Sequence, residues 1–600
     1  MFRVHDYPFG ARLTGDGALF RLWAPSADTV RLWTPQGEHT MERDAQGWHS
    51  ARVADAASGM LYRFRIGDLM VPDPASRFQP DDIDGPSMLV DPAGYRWSDG
   101  EWRGRPWEEA VIYELHVGTF TAEGTYRAAL RRLEGLRDLG ITAIELMPIA
   151  DFPGSRSWGY DGVLHYAPDS AYGAPSDLKA LIDHAHELGL MVFLDVVYNH
   201  FGPQGNYLPG YASPFFTERH QTLWGAGINF DGEHGRIVRD FFLHNALYWL
   251  DEYHFDGLRF DAVHAIADDS KPHFIAELAS HIRSELPGRH IHLILENNAN
   301  EARWLERGES FEPTLHTAQW NDDIHHAWHR LLTGEEEGYY GDYRDPAAHL
   351  GRCLAEGFAY QGEASGHDGG HRGEPSAHLP PSAFISFLQN HDQIGNRASG
   401  DRLVTLAPPE RLSLARAALL LGPQIPMLFM GEEWGATTPF QYFVDFTDSD
   451  LAKAVREGRA REFAGFGAFS DEALRDAIPD PTADTTFAHS RLNWDEREEP
   501  AHRGVLEETR RLLAVRAKSI APLLASPYRG GRWTRSDDDL LDVSWDFAIG
   551  SMRLLIHLGE SACEVPVPSG WDIAWASEGI VPAEAVTLTP WSGALLIRRP

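Results

Sequence analysis

The residues best suited to chemistry lie in the stretch 255–266, where Arg259 and Asp261 are separated by one phenylalanine. Leu258, Arg259 and Phe260 read as a short buried strand, and side chains alternate between the two faces of a strand. Arg259 and Asp261 therefore point to the same side, where the guanidinium favours an ionised carboxylate. An ionised, fixed carboxylate at the end of a strand suits nucleophilic attack on a sugar carbon. An internal ion pair that only holds the strand in place is the alternative.

Acidic residues close four of the predicted strands: Asp195, Asp261, Glu296 and Asp392. In a barrel of parallel strands, polar residues at the carboxyl ends of the strands are typical of an active site. Like charges that converge on one mouth repel each other, so folding alone gives no reason for this pattern. The four acids therefore predict a catalytic centre at that end of the strands.

The elements that must position these acids fall into three regions. With 600 residues, the chain exceeds what one hydrophobic core usually supports. Residues 1–104 carry short alternating runs with frequent turn residues, which predict an immunoglobulin-like β-sandwich. Residues 105–525 alternate apolar runs with helical patterns, which predicts a (β/α)8 TIM barrel of the α/β class. Residues 526–600 return to short alternating runs and predict a second, C-terminal β-sandwich.

The barrel region contains apolar runs of strand length, with helical patterns such as 126–138 and 175–187 between most of them. A further helix is expected at about 506–519. Long intervals in the pattern are predicted to be insertions, the first of them over the active-site face and the second containing a mobile surface loop at 362–373. The predicted strands are 110–114, 141–146, 191–196, 257–260, 291–295, 317–320, 384–388 and 425–429, and the insertions are 200–240, 334–381 and 440–493.

The charge balance narrows the class of partner. Asp and Glu number 88 against 53 Lys and Arg, which gives a formal net charge of −35. Such a field repels nucleic acid and anionic membranes, whereas a neutral substrate suits it. Cys353 and Cys563 lie far apart, so no disulfide framework is implied. The N-terminus lacks an apolar signal segment and no run could span a bilayer, so we expect a cytoplasmic protein. We also expect a monomer.

A metal site is a competing explanation for the acids, because Asp, Asn and His side chains are all possible ligands. We expect no metal and no other cofactor, because calcium-loop spacing is absent and no His-x-x-x-His pair is expected on a helix. A serine-hydrolase elbow, a phosphate-binding P-loop and a dinucleotide fingerprint are also absent. These absences leave the carboxylates as the main candidates for chemistry.

Four stretches together resemble the signature regions of the α-amylase superfamily of retaining glucan enzymes. They are residues 195–200, 257–264, 295–297 and 390–392, and they occur in the expected order at the expected strand ends. The resemblance covers about residues 110–435. It implies a TIM barrel whose acids cleave or transfer glucosidic bonds.

The resemblance also implies roles for individual residues. Asp261 would be the nucleophile, Glu296 the general acid/base, and Asp392 the third acid, which grips hydroxyl groups of the distorted sugar. Glu296 follows an apolar run and faces like charges, which favours its protonated form, so elementary electrostatics supports the same division. For Asn199 a loop-orienting hydrogen bond is an alternative, and for Tyr160 core packing is. Supporting or substrate-binding roles are implied for Tyr160, Asp195, Asn199, His200, Arg259, His264, His391 and Gln393.

Finer features are similar to the maltooligosyltrehalose trehalohydrolase family within this superfamily. They lie at residues 256–266, 388–397, 429–434 and 461–463. Enzymes of that family cut the α-1,4 bond next to a terminal α,α-trehalose unit, so the implied substrate is a soluble oligosaccharide. The bent trehalose unit must be distinguished from a linear maltosyl end, for which aromatic platforms are suited. The candidate platforms are Trp224, Phe358 and Tyr360, and for Phe358 core or loop packing is the favoured alternative.

Two other functions remain open from the sequence. A glycogen-branching enzyme shares the N-terminal sandwich and uses a sugar hydroxyl group instead of water as the acceptor. An inactive barrel that only binds glucan is the alternative outside enzymes, although such proteins normally lose one of the acids and Asp261, Glu296 and Asp392 are all present. The N-terminal sandwich could bind polysaccharide, but we expect it to pack against the barrel and shape the cleft.

Overall fold

Eight parallel strands form a closed barrel at the centre of the chain. The computed structural model describes residues 4–222, 225–309, 311–367, 369–463, 478–580 and 584–599. The predicted TIM barrel is confirmed, with strand ends that differ from the predicted ones by a few residues. The strands are Ile112–Leu115, Ala143–Leu146, Met191–Val196, Gly257–Phe260, His292–Leu295, Ala318–Trp320, Phe384–Ser386 and Ile425–Phe429.

The register of the barrel brings the predicted site residues to one level. Asp195 on the third strand is the partner of Arg259 on the fourth. Gly257 is needed for the approach of the fifth strand, because a Cβ atom at this position would lie 2.3 Å from the carbonyl oxygen of His292. All four residues of the fourth strand are buried. The barrel interior therefore fixes the height of Arg259 just below the mouth.

Helices surround the barrel, as predicted, but two expectations about them are wrong in detail. The pattern at 126–138 forms two helices, and the pattern at 506–519 forms the end of a longer helix and a π-helical turn, Arg516–Ile520. The larger helices are Tyr126–Leu130, Leu133–Leu139, Pro175–Glu187, Gly235–Leu247, Phe274–Glu285, Asp322–Thr333, Pro346–Glu356, Pro409–Leu421, Ser449–Phe463, Asp484–His489, Pro500–Val515 and Ala521–Leu524.

The insertions contain regular structure. In the first, strands Phe216–Thr222 and Gly225–Ile228 form an antiparallel hairpin. The segment 362–373, predicted as a mobile surface loop, contains a hairpin of Glu363–Ser365 and Gly370–Arg372. Local composition missed this hairpin because its anchor is distant in sequence: buried Arg372 forms an ion pair with Asp323 at 3.0 Å.

Antiparallel sheets flank the barrel on both sides in sequence. The N-terminal region has two sheets and the C-terminal region has a five-stranded sheet and a two-stranded one, which agrees with the predicted β-rich flanks. The N-terminal sheets consist of Arg12–Thr14, Gly17–Trp23, Trp48–Ala54 and Glu42–Arg43, and of Gly37–Thr40, Arg31–Thr34, Leu61–Ile66, Leu69–Val71 and Ser87–Met88. The C-terminal sheets consist of Tyr528–Arg535, Leu540–Phe547, Gly550–His557, Ser592–Arg598 and Asp572–Ala576, and of Cys563–Pro566 and Ala585–Leu588.

The loop between the N-terminal strands Gly17–Trp23 and Arg31–Thr34 contacts the chain just before the first insertion hairpin. The backbone N–H of Ser26 donates to the carbonyl oxygen of Tyr211 at 3.1 Å. The hydroxyl groups of Ser26 and Ser213 lie 2.9 Å apart. These contacts support a segment that leads directly into the hairpin beside the barrel mouth.

In the part of the chain that the structure describes, none of the helices is long and apolar enough to cross a membrane.

Candidate active site

Arg259 lies at the centre of the site and contacts three carboxylates. Its Nη1 atom lies 2.8 Å from Asp195 Oδ2 and 2.9 Å from Asp261 Oδ1, and its Nη2 atom lies 2.8 Å from Glu296 Oε2. The guanidinium is fully buried and packs over the ring of Trp320, 4.1 Å from the centroid. Arg259 and Asp261 do share one side of the strand, and the arginine joins acids from three neighbouring strands.

Asp261 is held on both carboxylate oxygens. Arg259 Nη1 donates to Oδ1 at 2.9 Å, and the side-chain amide of Asn199 donates to Oδ2 at 2.7 Å. The same amide donates to the carbonyl oxygen of Asp261 at 2.8 Å. Asn199 therefore orients the predicted nucleophile directly, and its bond to the backbone carbonyl is a loop-orienting hydrogen bond, as the alternative for this residue predicts.

A backbone hydrogen bond links Glu296 to the residue that follows Asp261. The N–H of Ala262 donates to Glu296 Oε2 at 2.8 Å. Ala262 has a φ of 40°, a left-handed conformation that is uncommon for alanine and that turns its N–H toward the glutamate. Because Arg259 contacts Glu296 as well as Asp261, a cationic neighbour does not by itself distinguish the two acids, as the sequence argument had assumed.

A second group of side chains is built around His391. Its Nδ1 atom lies 2.5 Å from Glu114 Oε1, and its Nε2 atom lies 2.9 Å from the hydroxyl oxygen of Tyr160. The Tyr160 hydroxyl donates to Asp195 Oδ2 at 2.6 Å, and its ring stacks on His391 with centroids 5.2 Å apart. The two groups therefore form one hydrogen-bonded network across the barrel mouth.

Burial and neighbouring charges shift the ionisation of this network. Burial lowers the pKa of His391, but the negative charges of Asp392 and Glu114 outweigh that effect and raise the pKa to about 9. Burial raises the pKa of Asp195 to about 7, although Arg259 acts in the opposite direction. His391 is therefore a cation at neutral pH, in the middle of a group of acids.

Asp392 lies on the short helix His391–Gly395, which follows the seventh strand. The side chain of Asn390 accepts hydrogen bonds from the backbone N–H groups of Asp392 at 2.9 Å and Gln393 at 3.3 Å, which fixes the start of this helix. Asp392 Oδ1 lies 3.5 Å from His391 Nε2. Its side chain is 35% exposed, against 12% for Asp261 and 20% for Glu296, so Asp392 is the acid most open to the cleft.

His200 borders a cavity beside the site. Its Nε2 atom lies 3.0 Å from the carbonyl oxygen of Tyr160, and its Nδ1 atom contacts the side-chain oxygen of Asn199. Burial lowers the pKa of His200 to about 4, so it is neutral near pH 7. Asn199 and His200 line a cavity of about 510 Å³ together with Phe216 and Ile228 of the insertion hairpin. This space extends the mouth away from the acids.

Of the three remaining predicted residues, two contact neighbours of the catalytic acids and one lies outside the described residues. His264 is exposed, and its Nδ1 atom accepts a hydrogen bond from the backbone N–H of Asn298 at 3.3 Å. Gln393 donates through Nε2 to Asp322 Oδ1 at 3.3 Å. Trp224 lies outside the described residues, so its predicted role stays a prediction.

Of the candidate aromatic platforms, Tyr360 is wrong, and for Phe358 the favoured alternative of core packing is confirmed. Phe358 is fully buried, and its ring packs against Phe384 with centroids 5.0 Å apart. Tyr360 is 7% exposed, and its hydroxyl group donates to the carbonyl oxygen of Asp342 at 2.8 Å. Both rings pack in the protein interior and are not available to stack on a sugar. An apolar sequence pattern does not distinguish a cleft wall from a core.

The structure adds residues that sequence reasoning missed. Glu114 ends the run predicted as the first strand, so the same inspection of strand ends would have found it. Asp322 follows the sixth strand by two residues, and burial together with Glu296 raises its pKa to about 7. Trp320, under the guanidinium of Arg259, closes the sixth strand. Each of the three was visible as a polar or aromatic residue at a strand end.

The expectation that no helix carries a His-x-x-x-His pair is wrong. His325 and His329 lie four residues apart on the helix Asp322–Thr333. Both nitrogens of His325 already have partners, the carbonyl oxygen of Leu388 at 2.5 Å and the hydroxyl oxygen of Tyr340 at 3.0 Å. His329 Nε2 contacts Glu335 at 2.7 Å. This pair stabilises the helix and its neighbouring insertion.

One group of possible metal ligands occurs among the described residues. The ligand atoms of His220, Asp231 and Asp269 all lie within 4.8 Å of one another. Arg219 forms ion pairs with Asp231 and Asp269, each at 3.2 Å. The guanidinium already supplies positive charge to the two carboxylates, so they do not require a cation.

Eight parallel strands with these carboxylates at the carboxyl mouth define an α-amylase-type barrel. Residues 83–224 match the family model of the alpha amylase catalytic domain, and residues 529–595 match a domain of unknown function, DUF3459. The chain is 43% identical to the malto-oligosyltrehalose trehalohydrolase of Deinococcus radiodurans, over 92% of this chain and 90% of that protein. It is 42% identical to that of Saccharolobus solfataricus, over 81% and 83%. The chain belongs to the malto-oligosyltrehalose trehalohydrolase family.

Solved structures agree with this fold. A crystal structure from Salmonella typhimurium, of a protein described as an alpha amylase, has a TM-score of 0.93 and 45% identity, over 99% of this chain and 100% of that chain. A pullulanase from Anoxybacillus has a TM-score of 0.71 at 18% identity, over 100% and 88%, which is a likeness of fold alone. A 1,4-alpha-glucan branching enzyme from Corynebacterium jeikeium is 32% identical over only 46% of this chain and 45% of that protein.

Proposed function

We propose that this protein is a retaining glycoside hydrolase that acts on malto-oligosyltrehalose. It cleaves the α-1,4 bond next to the terminal trehalose unit and releases trehalose and a shortened maltooligosaccharide. The observation that carries the chemistry is the contact of Arg259 with both Asp261 and Glu296, at 2.9 and 2.8 Å. The substrate is supported by relatives named malto-oligosyltrehalose trehalohydrolase, which match nearly the whole chain at 36 to 43% identity.

In the first step, Asp261 attacks the anomeric carbon of the glucose unit before the scissile bond. Arg259 and Asn199 each bind one of its carboxylate oxygens, which keeps the group aimed and resists rotation. A bond forms between the aspartate oxygen and the sugar carbon while the bond to the leaving oxygen breaks. Glu296 gives its proton to that oxygen, so trehalose leaves as a neutral alcohol.

In the second step, water releases the sugar from Asp261. The carboxylate of Glu296 accepts a proton from the water molecule as the water oxygen bonds to the anomeric carbon. The bond to Asp261 breaks and its carboxylate is restored. The N–H of Ala262 holds Glu296 Oε2 at 2.8 Å, which keeps the acid/base near the same sugar carbon in both steps.

Asp392, His391 and Tyr160 bind the sugar that is attacked. Asp392 is the most exposed of the acids and is suited to accept hydrogen bonds from sugar hydroxyl groups. The cation of His391 balances its charge, and Tyr160 presents an aromatic ring next to the imidazole. The cavity beside His200 provides space for further glucose units of the maltooligosyl chain.

The test compares malto-oligosyltrehalose with a plain maltooligosaccharide of equal length, with products separated by chromatography. We expect rapid release of free trehalose from the first and little action on the second. Equal cleavage of both would overturn the substrate assignment. New α-1,6 linkages would indicate a branching enzyme, and binding without any product would indicate an inactive glucan-binding barrel.

We further propose that the protein is a cytoplasmic monomer that acts on a soluble sugar in trehalose biosynthesis. The net charge of −35 disfavours contact with nucleic acid and anionic membranes and favours a monomer in solution. The N-terminal sheets contribute by supporting the segment around Tyr211 and Ser213, not by binding polysaccharide. Light scattering gives the mass in solution, and a mass of two chains would contradict the monomer.

A further inference from the structure

The sixth barrel strand also leads to an acid at the mouth. Asp322 is the first residue of the helix Asp322–Thr333, two residues beyond the strand Ala318–Trp320. The sixth strand lies between the fifth, which carries Glu296, and the seventh, which carries Asp392. Asp322 thus completes a row of acids at the ends of five consecutive strands, the third to the seventh.

The carboxyl group of Asp322 is only partly engaged by the protein. Gln393 Nε2 donates a hydrogen bond to Oδ1 of Asp322 at 3.3 Å. Among the described residues, this is the one hydrogen bond that the Asp322 carboxyl group accepts. The residue is half-buried, so part of its surface remains open to the cleft. A carboxyl group in this position has unused capacity to bind a ligand.

We propose that Asp322 is a specificity-determining residue whose carboxyl group binds a hydroxyl group of the leaving trehalose unit. This inference rests on the proposed function, because it concerns the leaving-group side of the same site. The general acid must reach the leaving oxygen, so the sugar beyond that oxygen lies on the side of Glu296. The strand next to Glu296 on the side away from Asp261 is the one that leads to Asp322.

The surroundings favour a carboxyl group that can donate as well as accept. Glu296, Asp392 and Asp323 face Asp322 with negative charge, Arg372 faces it with positive charge, and burial is the largest influence. These effects raise the pKa of Asp322 to about 7, so a protonated form is present at neutral pH. Asparagine, which also donates and accepts, is therefore the conservative replacement.

A purely structural role is the alternative. An acid in the first turn of a helix interacts favourably with the helix dipole, and its loss would then lower stability without changing the affinity for sugar. The two roles separate in a measurement of trehalose binding on variants whose melting temperature is also known. The matched control is Glu336→Gln, which removes a carboxylate from an exposed residue after the same helix, paired with Arg330 at 2.9 Å.

The experiment measures α,α-trehalose binding by calorimetry and KM for malto-oligosyltrehalose on Asp322→Ala, Asp322→Asn and the control. We expect Asp322→Ala to weaken trehalose binding about tenfold and to raise KM by a similar factor, as the loss of one hydrogen bond predicts. Asp322→Asn should stay within about threefold of the wild type, because the amide keeps both hydrogen-bonding roles. Glu336→Gln should match the wild type in both quantities.

The results that would overturn the inference are specific. If Asp322→Ala binds trehalose as tightly as the wild type while the wild type releases trehalose normally, Asp322 does not bind the leaving unit and the proposed function stands. If Asp322→Ala does not fold, Asp322→Asn takes its place, and a loss of trehalose affinity well beyond threefold in this folded variant would overturn the inference, because the amide keeps both hydrogen-bonding roles. If the wild type releases no trehalose, the proposed function fails first.

Discussion

Nδ1 of His391 lies 2.5 Å from Oε1 of Glu114, and both side chains are 1% exposed. The other ring nitrogen contacts the hydroxyl group of Tyr160, which donates its single proton to Asp195. The imidazole must therefore donate to the hydroxyl oxygen, and both of its nitrogens carry protons. Glu114 thus holds His391 as a cation, from a barrel strand that carries none of the predicted catalytic acids.

Replacing Glu114 with glutamine should lower the pKa of His391 and reduce activity at alkaline pH. In the native protein the pKa of His391 is raised from 6.5 to about 9. Its ionic stabilisation is therefore fully present below 6.5 and is lost as the pH rises toward 9. In the variant this stabilisation should be smaller and its loss should be complete at a lower pH, and the free energy of unfolding should fall by about 3 kcal/mol, as for other broken buried pairs. The titration of His391 by NMR and the pH profile of kcat/KM test this.

Glu145 provides the control for that experiment. It is the register partner of Glu114 on the next strand, it is fully buried, and burial raises its pKa well above the ordinary value. Because burial favours the uncharged form of Glu145, Glu145→Gln should leave the titration of His391 nearly unchanged. An equal shift of the pH profile in both variants would contradict the specific role of Glu114.

The two central acids should respond differently to an added nucleophile. Asp261→Asn removes the attacking oxygen and should reduce kcat by about 10⁴-fold. Glu296→Gln removes the acid and base but keeps the attack, so an activated glycosyl fluoride should still form the glycosyl-enzyme. Azide needs no base, and it should restore turnover of Glu296→Gln and yield a glycosyl azide. Mass spectrometry detects that product.

The exposed acid Asp138 gives the matched control, since its side chain is 61% exposed on the barrel surface and Asp138→Asn makes the same chemical change. If azide instead restored turnover of Asp261→Asn with the same product configuration, and failed to restore turnover of Glu296→Gln, the roles assigned to the two acids would be reversed. The contact of Arg259 with both acids makes this comparison necessary, because neither acid has the cation to itself.

Much of the site could be predicted because it depends on strand ends. Apolar runs locate the strands, parallel strands share one mouth, and acids that follow the runs meet there. Asp195, Asp261 and Glu296 therefore come together on Arg259 as expected. Contacts between residues on opposite sides of the barrel could not be predicted in this way. Glu114 and His391 are 277 positions apart, and no local pattern links them.

Burial was the other quantity that the sequence did not determine. Phe358 and Tyr360 precede a glycine-rich segment, which suggested a cleft wall. Phe358 instead packs against Phe384 of the seventh strand, and the ring of Tyr360 lies under the guanidinium of Arg372. Arg372, in the insertion 334–381, forms an ion pair with Asp323, on the helix that follows the sixth strand. Side-chain exposure thus depended on tertiary contacts that composition does not encode.

The reaction should retain the anomeric configuration. A nucleophile held on both oxygens forms a covalent intermediate with inversion, and water then inverts the centre again. Trehalose has no free anomeric hydroxyl group, so the single new reducing end belongs to the shortened maltooligosaccharide. Proton NMR in the first minutes should show the α anomer before mutarotation. An initial β anomer would contradict a nucleophilic Asp261 and would indicate direct attack by water.

Asn199 should act on kcat through Asp261. Its amide donates to Oδ2 and to the carbonyl oxygen of Asp261 at 2.7 and 2.8 Å, so Asn199→Ala frees the nucleophile to rotate. We expect kcat to fall about tenfold or more, with KM little changed, as for one lost hydrogen bond to a charged group. Asn199→Asp has nearly the native shape but places a second carboxylate beside the first, so its activity should be lower than that of Asn199→Ala. Steady-state kinetics on malto-oligosyltrehalose test the order, and an aspartate variant more active than the alanine variant would show that shape, not hydrogen-bond donation, is the contribution of Asn199.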